Sequence, residues 1–208
     1  LDAEVLLPSV QFELTLKSDP NQRYKTNISG PDGVCKVDRV PYGLYTCKEI
    51  LVNDKAYPVA DFDVNFTENG KTYYYTKVDA SKQMQIEIDK EILVNAGEKT
   101  DAVVEGAKFT VYTDAAGKNP YKDAYGNTVV IGPTDANGYA ISKYMRTGTY
   151  YLKETTFPKG IDPDATIPGE NVTYRNKVYS VTYNNQNQGT SPVKVTLTVK
   201  NEPKRNDI

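Results

Sequence analysis

NGYAISKYMRTGTYYLKE, residues Asn137–Glu154, has the pattern of two short strands joined by a turn at Arg146–Gly148. Tyr150, Leu152 and Glu154 are spaced two residues apart, so they share one face of the second strand. If the tyrosine and the leucine face the core, the glutamate faces it too. Because an ionised carboxylate among apolar side chains is costly, this glutamate is expected to be protonated, paired or in chemical use.

A second stretch of the same length, DGVCKVDRVPYGLYTCKE (Asp32–Glu49), repeats the first. Two turn glycines, a tyrosine, a lysine and the final glutamate match, at Gly33/Gly138, Gly43/Gly148, Tyr45/Tyr150, Lys48/Lys153 and Glu49/Glu154. The upstream strands VQFEL and AKFTV also correspond. Such a repeat indicates two copies of one module, and chance similarity of two hairpins is the alternative.

Composition favours an all-β protein of two tandem domains. The 208 residues suit two cores of about a hundred residues each. Seventeen Tyr, twelve Pro and fourteen Gly accompany alternating runs of Val and Thr, which is typical of strands and turns. We therefore predict a β-sandwich in residues 1–82, with its first strand truncated, and a second in residues 83–208. Asp79–Gln83 is the expected linker.

Several function classes are excluded by the same composition. The net charge of −2, without a run of one sign, gives no reason to expect nucleic acid or an anionic membrane as a partner. No apolar run is long enough to span a bilayer. Histidine is absent and there are two cysteines, so no metal site, no cofactor and no Ser-His-Asp chemistry is expected. The chain begins as if cut from something longer.

The strand predictions along the chain follow from alternating apolar residues and turn signals. In the first module strands are expected at Val10–Leu16, Cys35–Val40, Leu44–Ile50, Asp61–Phe66 and Thr72–Val78, with a loop at Lys17–Asp32 and a turn at Glu68–Gly70. In the second they are expected at Met84–Ile92, Lys108–Tyr112, Lys177–Tyr183 and Val193–Val199, with turn-rich NNQNQGTS (184–191) between the last two. The long insert Asp114–Asn137 is expected at the surface.

Two further polar residues continue apolar faces in the second module. Lys90 has the parity of Met84, Ile86 and Ile88, and Asn201 has that of Val195, Leu197 and Val199. Each alone has an ordinary explanation, since a lysine can extend to solvent at a strand end and an asparagine can begin a turn. With Glu154 they place an amine, a carboxyl and a carboxamide inside one domain.

Four separated motifs occur in an order that resembles the Cna protein B-type domain of Gram-positive surface adhesins and sortase-assembled pilins. They are VEGAKFTVY (104–112), TDANGYA (134–140), YYLKETTFPKG (150–160) and VTLTVKNEP (195–203). The resemblance covers the whole second module and extends more weakly to the first. It implies immunoglobulin-like, prealbumin-like β-sandwich domains of the Cna B type.

The resemblance also implies an internal isopeptide bond between a lysine of the first strand and an asparagine of the last, promoted by the glutamate. These positions match Lys90, Asn201 and Glu154. The chemistry is physically reasonable, because burial lowers the pKa of a lysine, raises that of a glutamate and so favours a neutral, nucleophilic amine. It would happen once per molecule and is not enzyme turnover. An unreacted Lys–Glu pair beside an asparagine is the alternative.

The first module departs from this pattern. Glu49 matches the glutamate, but the matching lysine would fall immediately before Leu1. Asp79 is the nearest candidate for the last-strand partner. An aspartate there would release water instead of ammonia. No bond is expected there. Cys35 and Cys47 both have core parity in one hairpin, and a disulfide and two reduced thiols remain open alternatives.

The expected function is that of a stalk or backbone segment of an extracellular, cell-wall-anchored pilin or adhesin, with the anchor outside this segment. Its partners would be other pilus or cell-wall subunits. One alternative is a binding module that recognises a host matrix protein or glycan through the insert at 114–137, and another is an accessory domain of an extracellular enzyme. Lys122, in NPYKDAYG, is a weak candidate for an intermolecular link.

Overall fold

The computed structural model describes residues 5–183 and 192–204, and NNQNQGTS (184–191) lies outside these ranges. The chain separates into two compact units between Lys82 and Gln83. Strands dominate both, and within the described ranges one 3₁₀ turn, Tyr174–Asn176, is the single helical element. The protein is therefore all-β, as predicted.

The first unit contains one antiparallel sheet in its described residues. Its strands are β1 (Gln11–Leu16), β2 (Arg23–Lys25), β3 (Gly43–Leu51) and β4 (Phe62–Phe66), in the order β2-β1-β3-β4. Alternation puts the apolar residues on one face, where Leu14, Leu16, Tyr45, Cys47 and Val64 are buried. A second sheet, as a sandwich would require, is not formed by the described residues of this unit.

Two predicted strands of the first unit are wrong. Residues 35–40 form no ladder, and Arg39, two residues before Pro41, takes a left-handed conformation (φ 57°) that interrupts an extended run. Residues 72–78 form no strand and have no main-chain partner among the described residues. The predicted loop at 17–32 also contains the short strand β2.

The second unit contains two sheets. Its strands are β5 (Gln83–Ile92), β6 (Lys108–Tyr112), β7 (Val130–Ile131), β8 (Tyr139–Ile141), β9 (Met145–Arg146), β10 (Thr149–Thr156), β11 (Tyr179–Thr182) and β12 (Val193–Asn201). One sheet has the order β11-β10-β6-β7 and the other β12-β5-β8, with β9 also paired to β5. Both sheets contribute to one core of buried residues, among them Met84, Ile86 and Ile88 from β5 and Phe109, Val111 and Leu152 from β6 and β10.

The first and last strands of this unit are neighbours. β12 pairs in parallel with β5 over nine residues, from Val193 opposite Met84 to Asn201 opposite Ile92. Parallel neighbours need a long connection, and here the rest of the unit supplies it. The two strands that carry Lys90 and Asn201 therefore lie side by side.

The insert 114–137 lies only partly at the surface. Its middle forms an exposed turn closed by a bridge between Lys122 and Thr128. Its later part is structural, because Ile131 in β7 pairs with Phe109 and is fully buried, and Thr134 is buried too. The expectation of an all-surface insert is wrong at this end, since the apolar residues there close the edge of a sheet.

One sheet of the second unit has the same connectivity as the sheet of the first. β7-β6-β10-β11 corresponds to β2-β1-β3-β4 in chain order. The register agrees as well, because Glu49 lies opposite Phe12 and Glu154 lies opposite Phe109, and a bulge follows the glutamate in both ladders. The sequence repeat is therefore a repeat of a four-stranded sheet.

Candidate functional site

Three polar side chains lie inside the second unit. Lys90 and Glu154 are each 1% exposed and Asn201 is 0% exposed. Lys90 and Asn201 belong to the neighbouring strands β5 and β12, whereas Glu154 reaches them from β10 in the opposite sheet. The three residues that the sequence places inward are therefore in one cluster.

A single carboxylate oxygen holds the cluster together. The amine Nζ of Lys90 donates to Oε2 of Glu154 over 3.1 Å, and the carboxamide Nδ2 of Asn201 donates to the same oxygen over 2.9 Å. The other oxygens, Oε1 of Glu154 and Oδ1 of Asn201, are buried without a hydrogen-bond partner in the described structure. Buried polar atoms without partners are rare and costly, and a reactive site is one of the reasons for which proteins retain them.

Strand register sets these positions. Val199 lies opposite Lys90 and Asn201 lies opposite Ile92, so the carboxamide is one same-face step beyond the amine. The main-chain carbonyl of Asn201 accepts the amide hydrogen of Leu93 over 2.9 Å, which fixes the end of β12 against β5. Side-chain alternation in two paired strands thus puts both nitrogens on the face that Glu154 reaches from the opposite sheet.

Burial sets the protonation of the pair. It lowers the pKa of Lys90 to about 8, while the nearby charge of Glu154 acts in the opposite direction. Burial also raises the pKa of Glu154, against the attraction of Lys90 and the hydrogen bond from Asn201. Both shifts favour the neutral forms, so a proton can move between the two groups at modest cost.

The surrounding walls are apolar and aromatic. Phe109, opposite Glu154 in the β6–β10 ladder, is fully buried. Tyr179 of β11 pairs with Leu152, and its burial, with the charge of Glu154 next in effect, raises the pKa of its phenol. Sequence reasoning missed Tyr179 as a neighbour of Glu154, although its two-residue spacing from the buried Val181 was a signal.

The first unit brings Glu49 and Asp79 together without an amine. Glu49 is 5% exposed, and its Oε2 accepts the amide hydrogen of Val59 over 3.0 Å. Its Oε1 and the Oδ2 of Asp79 are buried and unpartnered in the described residues. Burial raises the pKa of both carboxyls, and the charge of Asp79 raises that of Glu49 further.

Of the two alternatives for the cysteines, the structure has the free thiols. Cys47 is buried and Cys35 half-buried, with its Sγ donating to the carbonyl oxygen of Val10 over 3.3 Å. Burial raises the pKa of both, that of Cys47 to about 11. Because residues 35–40 do not form a strand, the two cysteines do not face each other across a hairpin.

Within the described ranges, no group of His, Cys, Asp and Glu side chains could hold a metal ion. No helix there is long and apolar enough to cross a membrane. Lys122 lies in an exposed loop, and its Nζ donates to the carbonyl oxygen of Gly126 over 3.2 Å.

Comparison with known proteins gives a family match and several similar solved structures. The SpaA family, described as a prealbumin-like fold domain, matches residues 85–187. No curated protein matches this sequence. The Bacillus anthracis TIE protein is similar at 20% identity with a TM-score of 0.62, over 96% of this chain and 31% of that one. The C-terminal fragment of pilus adhesin SpaC from Lactobacillus rhamnosus GG has 18% identity and a TM-score of 0.47, over 100% and 94% of the two chains.

A further structure is GBS52, the minor pilin of Streptococcus agalactiae, with 17% identity and a TM-score of 0.41 over 98% of this chain and 87% of that one. The likeness to the TIE protein shows the fold. This chain spans about a third of that protein's length.

Proposed function

We propose that this chain is a structural segment of a Gram-positive surface pilin or adhesin, because residues 85–187 match the model of the SpaA family of prealbumin-like fold domains. In this proposal two tandem modules of the Cna B type, 1–82 and 83–208, form part of a stalk. A self-formed isopeptide bond between Lys90 and Asn201 stabilises the second. The observation that carries the proposal is the buried cluster of these two residues with Glu154.

The proposed reaction is an amide exchange without external reagents. The neutral amine of Lys90 attacks Cγ of Asn201, so that an Nζ–Cγ bond forms as the Cγ–Nδ2 bond breaks. Glu154 takes a proton from the lysine nitrogen and delivers one to Nδ2, which leaves as ammonia. The glutamate ends in its starting state. Its contact with both nitrogens through one oxygen suits this transfer.

Activation of the carboxamide would come from the neutral form of Glu154. Oδ1 of Asn201 has no hydrogen-bond partner in the described structure, so a half-turn of the carboxamide would exchange the hydrogen bond from Nδ2 to Glu154 for one between the carboxyl and Oδ1. A protonated carboxyl can then donate to that oxygen and stabilise the negative charge that develops on it. Burial, which raises the pKa of Glu154, favours the form that donates.

Folding contributes to the rate in this scheme by bringing the reacting groups together. Holding reactants together in the correct orientation can replace about 7–11 kcal/mol of barrier. The product closes a loop of about a hundred residues, for which the chain-entropy estimate used for disulfides gives roughly 4–5 kcal/mol of stabilisation. The reaction occurs once and has no turnover, so the result is a more stable stalk domain.

The proposal places the chain at the extracellular surface, in contact with other pilus or cell-wall subunits and anchored by parts of the protein outside this segment. The test is intact-protein mass spectrometry under denaturing conditions. We expect the chain to be lighter than its calculated mass by one ammonia, and a proteolytic map to contain a peptide of Lys90 joined to one of Asn201. A chain at full calculated mass would contradict the bond.

A further inference from the structure

The connection between β10 and β11, residues 157–178, runs back to the end of β12. Ile161 forms an antiparallel bridge with Pro203, just beyond that strand. The amide of Lys204 donates to the carbonyl oxygen of Gly160 over 2.7 Å. The chain that leaves β12 is therefore bound to the connection and not only to its neighbouring strand β5.

The peptide group between Asn201 and Glu202 is held at both of its polar atoms. Its carbonyl oxygen accepts the amide hydrogen of Leu93, which follows β5, over 2.9 Å. Its amide donates to the hydroxyl oxygen of Tyr174 over 2.9 Å. A buried amide needs a partner, and beyond the end of the ladder a phenol provides it. The main chain that carries the reacting carboxamide is thus fixed by β5 and by the connection together.

Tyr174 is itself held in place by its own segment. It is 3% exposed and begins the 3₁₀ turn, and its amide donates to the carbonyl oxygen of Ala165 over 3.2 Å. The next amide, that of Arg175, donates to the carbonyl oxygen of Pro163 over 2.9 Å. The Arg175 guanidinium also donates twice to the carboxylate of Asp164, over 2.7 and 3.2 Å. The hydroxyl therefore comes from a braced turn and can restrain the group that it binds.

The same connection covers the end of β12. This strand lies at the edge of its sheet and Asn201 is its last residue, yet Asn201 is 0% exposed. Ile161 and Tyr174, which contact the residues that follow it, are 8% and 3% exposed. The carboxamide is thus kept from solvent at a place where a strand normally ends in water.

We propose that Tyr174 is a positioning residue for the reaction between Lys90 and Asn201. By binding the amide of Glu202, its hydroxyl fixes the direction in which the Asn201 side chain leaves the main chain, and so keeps Cγ within reach of the amine. The inference rests on the proposed function, because Asn201 can be positioned for attack only if the attack takes place. Tyr174 touches none of the reacting atoms in this role.

A positioning role can be separated from a purely structural one by the rate of the reaction. Loss of one hydrogen bond lowers the free energy of unfolding, but a domain of ordinary stability stays almost entirely folded. A hydrogen bond that serves the fold alone therefore leaves the rate in the folded chain unchanged. One that orients a reacting group changes this rate, because small displacements of reacting atoms are expensive.

The test is Tyr174→Phe, which removes the hydroxyl and keeps the ring. Chain isolated in the unfolded state is refolded, folding is followed by circular dichroism, and ammonia loss is followed by intact mass. We expect the reaction in the folded chain to be about tenfold slower than in the unsubstituted chain. Tyr150→Phe is the matched control, since Tyr150 is 7% exposed and its hydroxyl donates to the carbonyl oxygen of Arg146 over 2.8 Å. It should leave the rate unchanged.

Hydrogen exchange gives a second measurement in chains that cannot react. In the Lys90→Met background, Y174F should speed exchange of the Glu202 amide at least tenfold, whereas Y150F should not change it. Equal reaction rates in Y174F and the unsubstituted chain, equal slowing by Y150F, or unchanged exchange at Glu202 would each overturn the inference and leave the isopeptide bond intact. An unsubstituted chain that stays at full mass would overturn the proposed function, and this inference with it.

Discussion

The main-chain amide of Lys90 donates to the carbonyl oxygen of Gly138 over 2.9 Å. Gly138 belongs to the TDANGYA turn and has a left-handed conformation (φ 82°). A Cβ at this position would lie 2.2 Å from the carbonyl oxygen of Lys90. The turn therefore fixes the strand segment that carries the lysine, and it can do so only with glycine.

Gly138→Ala should destabilise the second unit by about 2–4 kcal/mol. The alanine would be strained in the left-handed conformation, and its Cβ would also collide with the main chain of Lys90. The free energy of unfolding measures this, and the rate of ammonia loss on refolding should fall with it. Gly97→Ala is the matched control, since Gly97 has φ 84° with nothing within 4 Å of an added Cβ. Equal effects of the two substitutions would show that the contact with Lys90 is unimportant.

Glu154→Gln should leave the chain at its full calculated mass. The substitution keeps the shape and the hydrogen bonds of the side chain but removes its ability to exchange protons. Glu105→Gln, at an exposed position, is the control and should still lose one ammonia. A cross-linked E154Q chain, seen by intact mass, would remove the glutamate from the mechanism.

Asn201→Asp should change the leaving group. A carboxyl has the same shape as the carboxamide, and attack by the Lys90 amine then releases water. We expect a chain lighter than its own calculated mass by one water, whereas Asn201→Ala should stay at full mass. If N201D stays at full mass while folded, the carbonyl of residue 201 is not the site of attack.

Lys90→Met should lower the thermal unfolding temperature of the second unit. Loss of a covalent loop worth roughly 4–5 kcal/mol corresponds to a decrease of about 15–25 °C for a domain of this size. Calorimetry would measure it. Lys108→Met, on the exposed face of β6, should change the temperature little. A small effect of K90M would mean that no bond forms between β5 and β12.

Bond formation should have an acid and an alkaline limit. At low pH both groups are protonated, and the ammonium of Lys90 cannot attack. As pH rises through the raised pKa of Glu154 the pair keeps one proton, which either group can hold, and the reaction becomes available. Well above the Lys90 pKa of about 8 this proton is lost, and with it the acid that activates Asn201.

The measurement for this prediction is the rate of ammonia loss when chain isolated in the unfolded state is refolded into buffers across the pH range. A rate that does not fall again at alkaline pH would show that the reaction requires only the neutral amine of Lys90. A rate independent of pH would exclude proton exchange between Lys90 and Glu154 from the slow step.

Much of the second unit can be predicted from sequence because two-residue alternation is strong there. The inward parity of Lys90, Glu154 and Asn201 follows from their apolar neighbours, and their burial agrees with it. That Glu154 reaches across the core from the other sheet could not be predicted, since parity fixes a face and says nothing about which sheets oppose each other.

The first unit was harder to predict for a physical reason. TYYYTKV has the residues of a strand, but a strand needs a partner, and the described chain provides none for residues 72–79. Residues 35–40 were also predicted as a strand, but Arg39 takes a left-handed conformation that no local pattern indicates. The family resemblance identified the fold of residues 85–187, while strand pairing that depends on distant segments had to come from the structure.

The parallel pairing of β5 with β12 has a mechanical consequence. The chain enters this unit at the start of β5 and leaves at the end of β12, so pulling on the two ends drags the strands past each other in opposite directions. The nine-residue ladder is then sheared, and its hydrogen bonds must rupture together. An antiparallel pair pulled from adjacent ends would unzip one bond at a time, so this topology resists stretching before any covalent link is added.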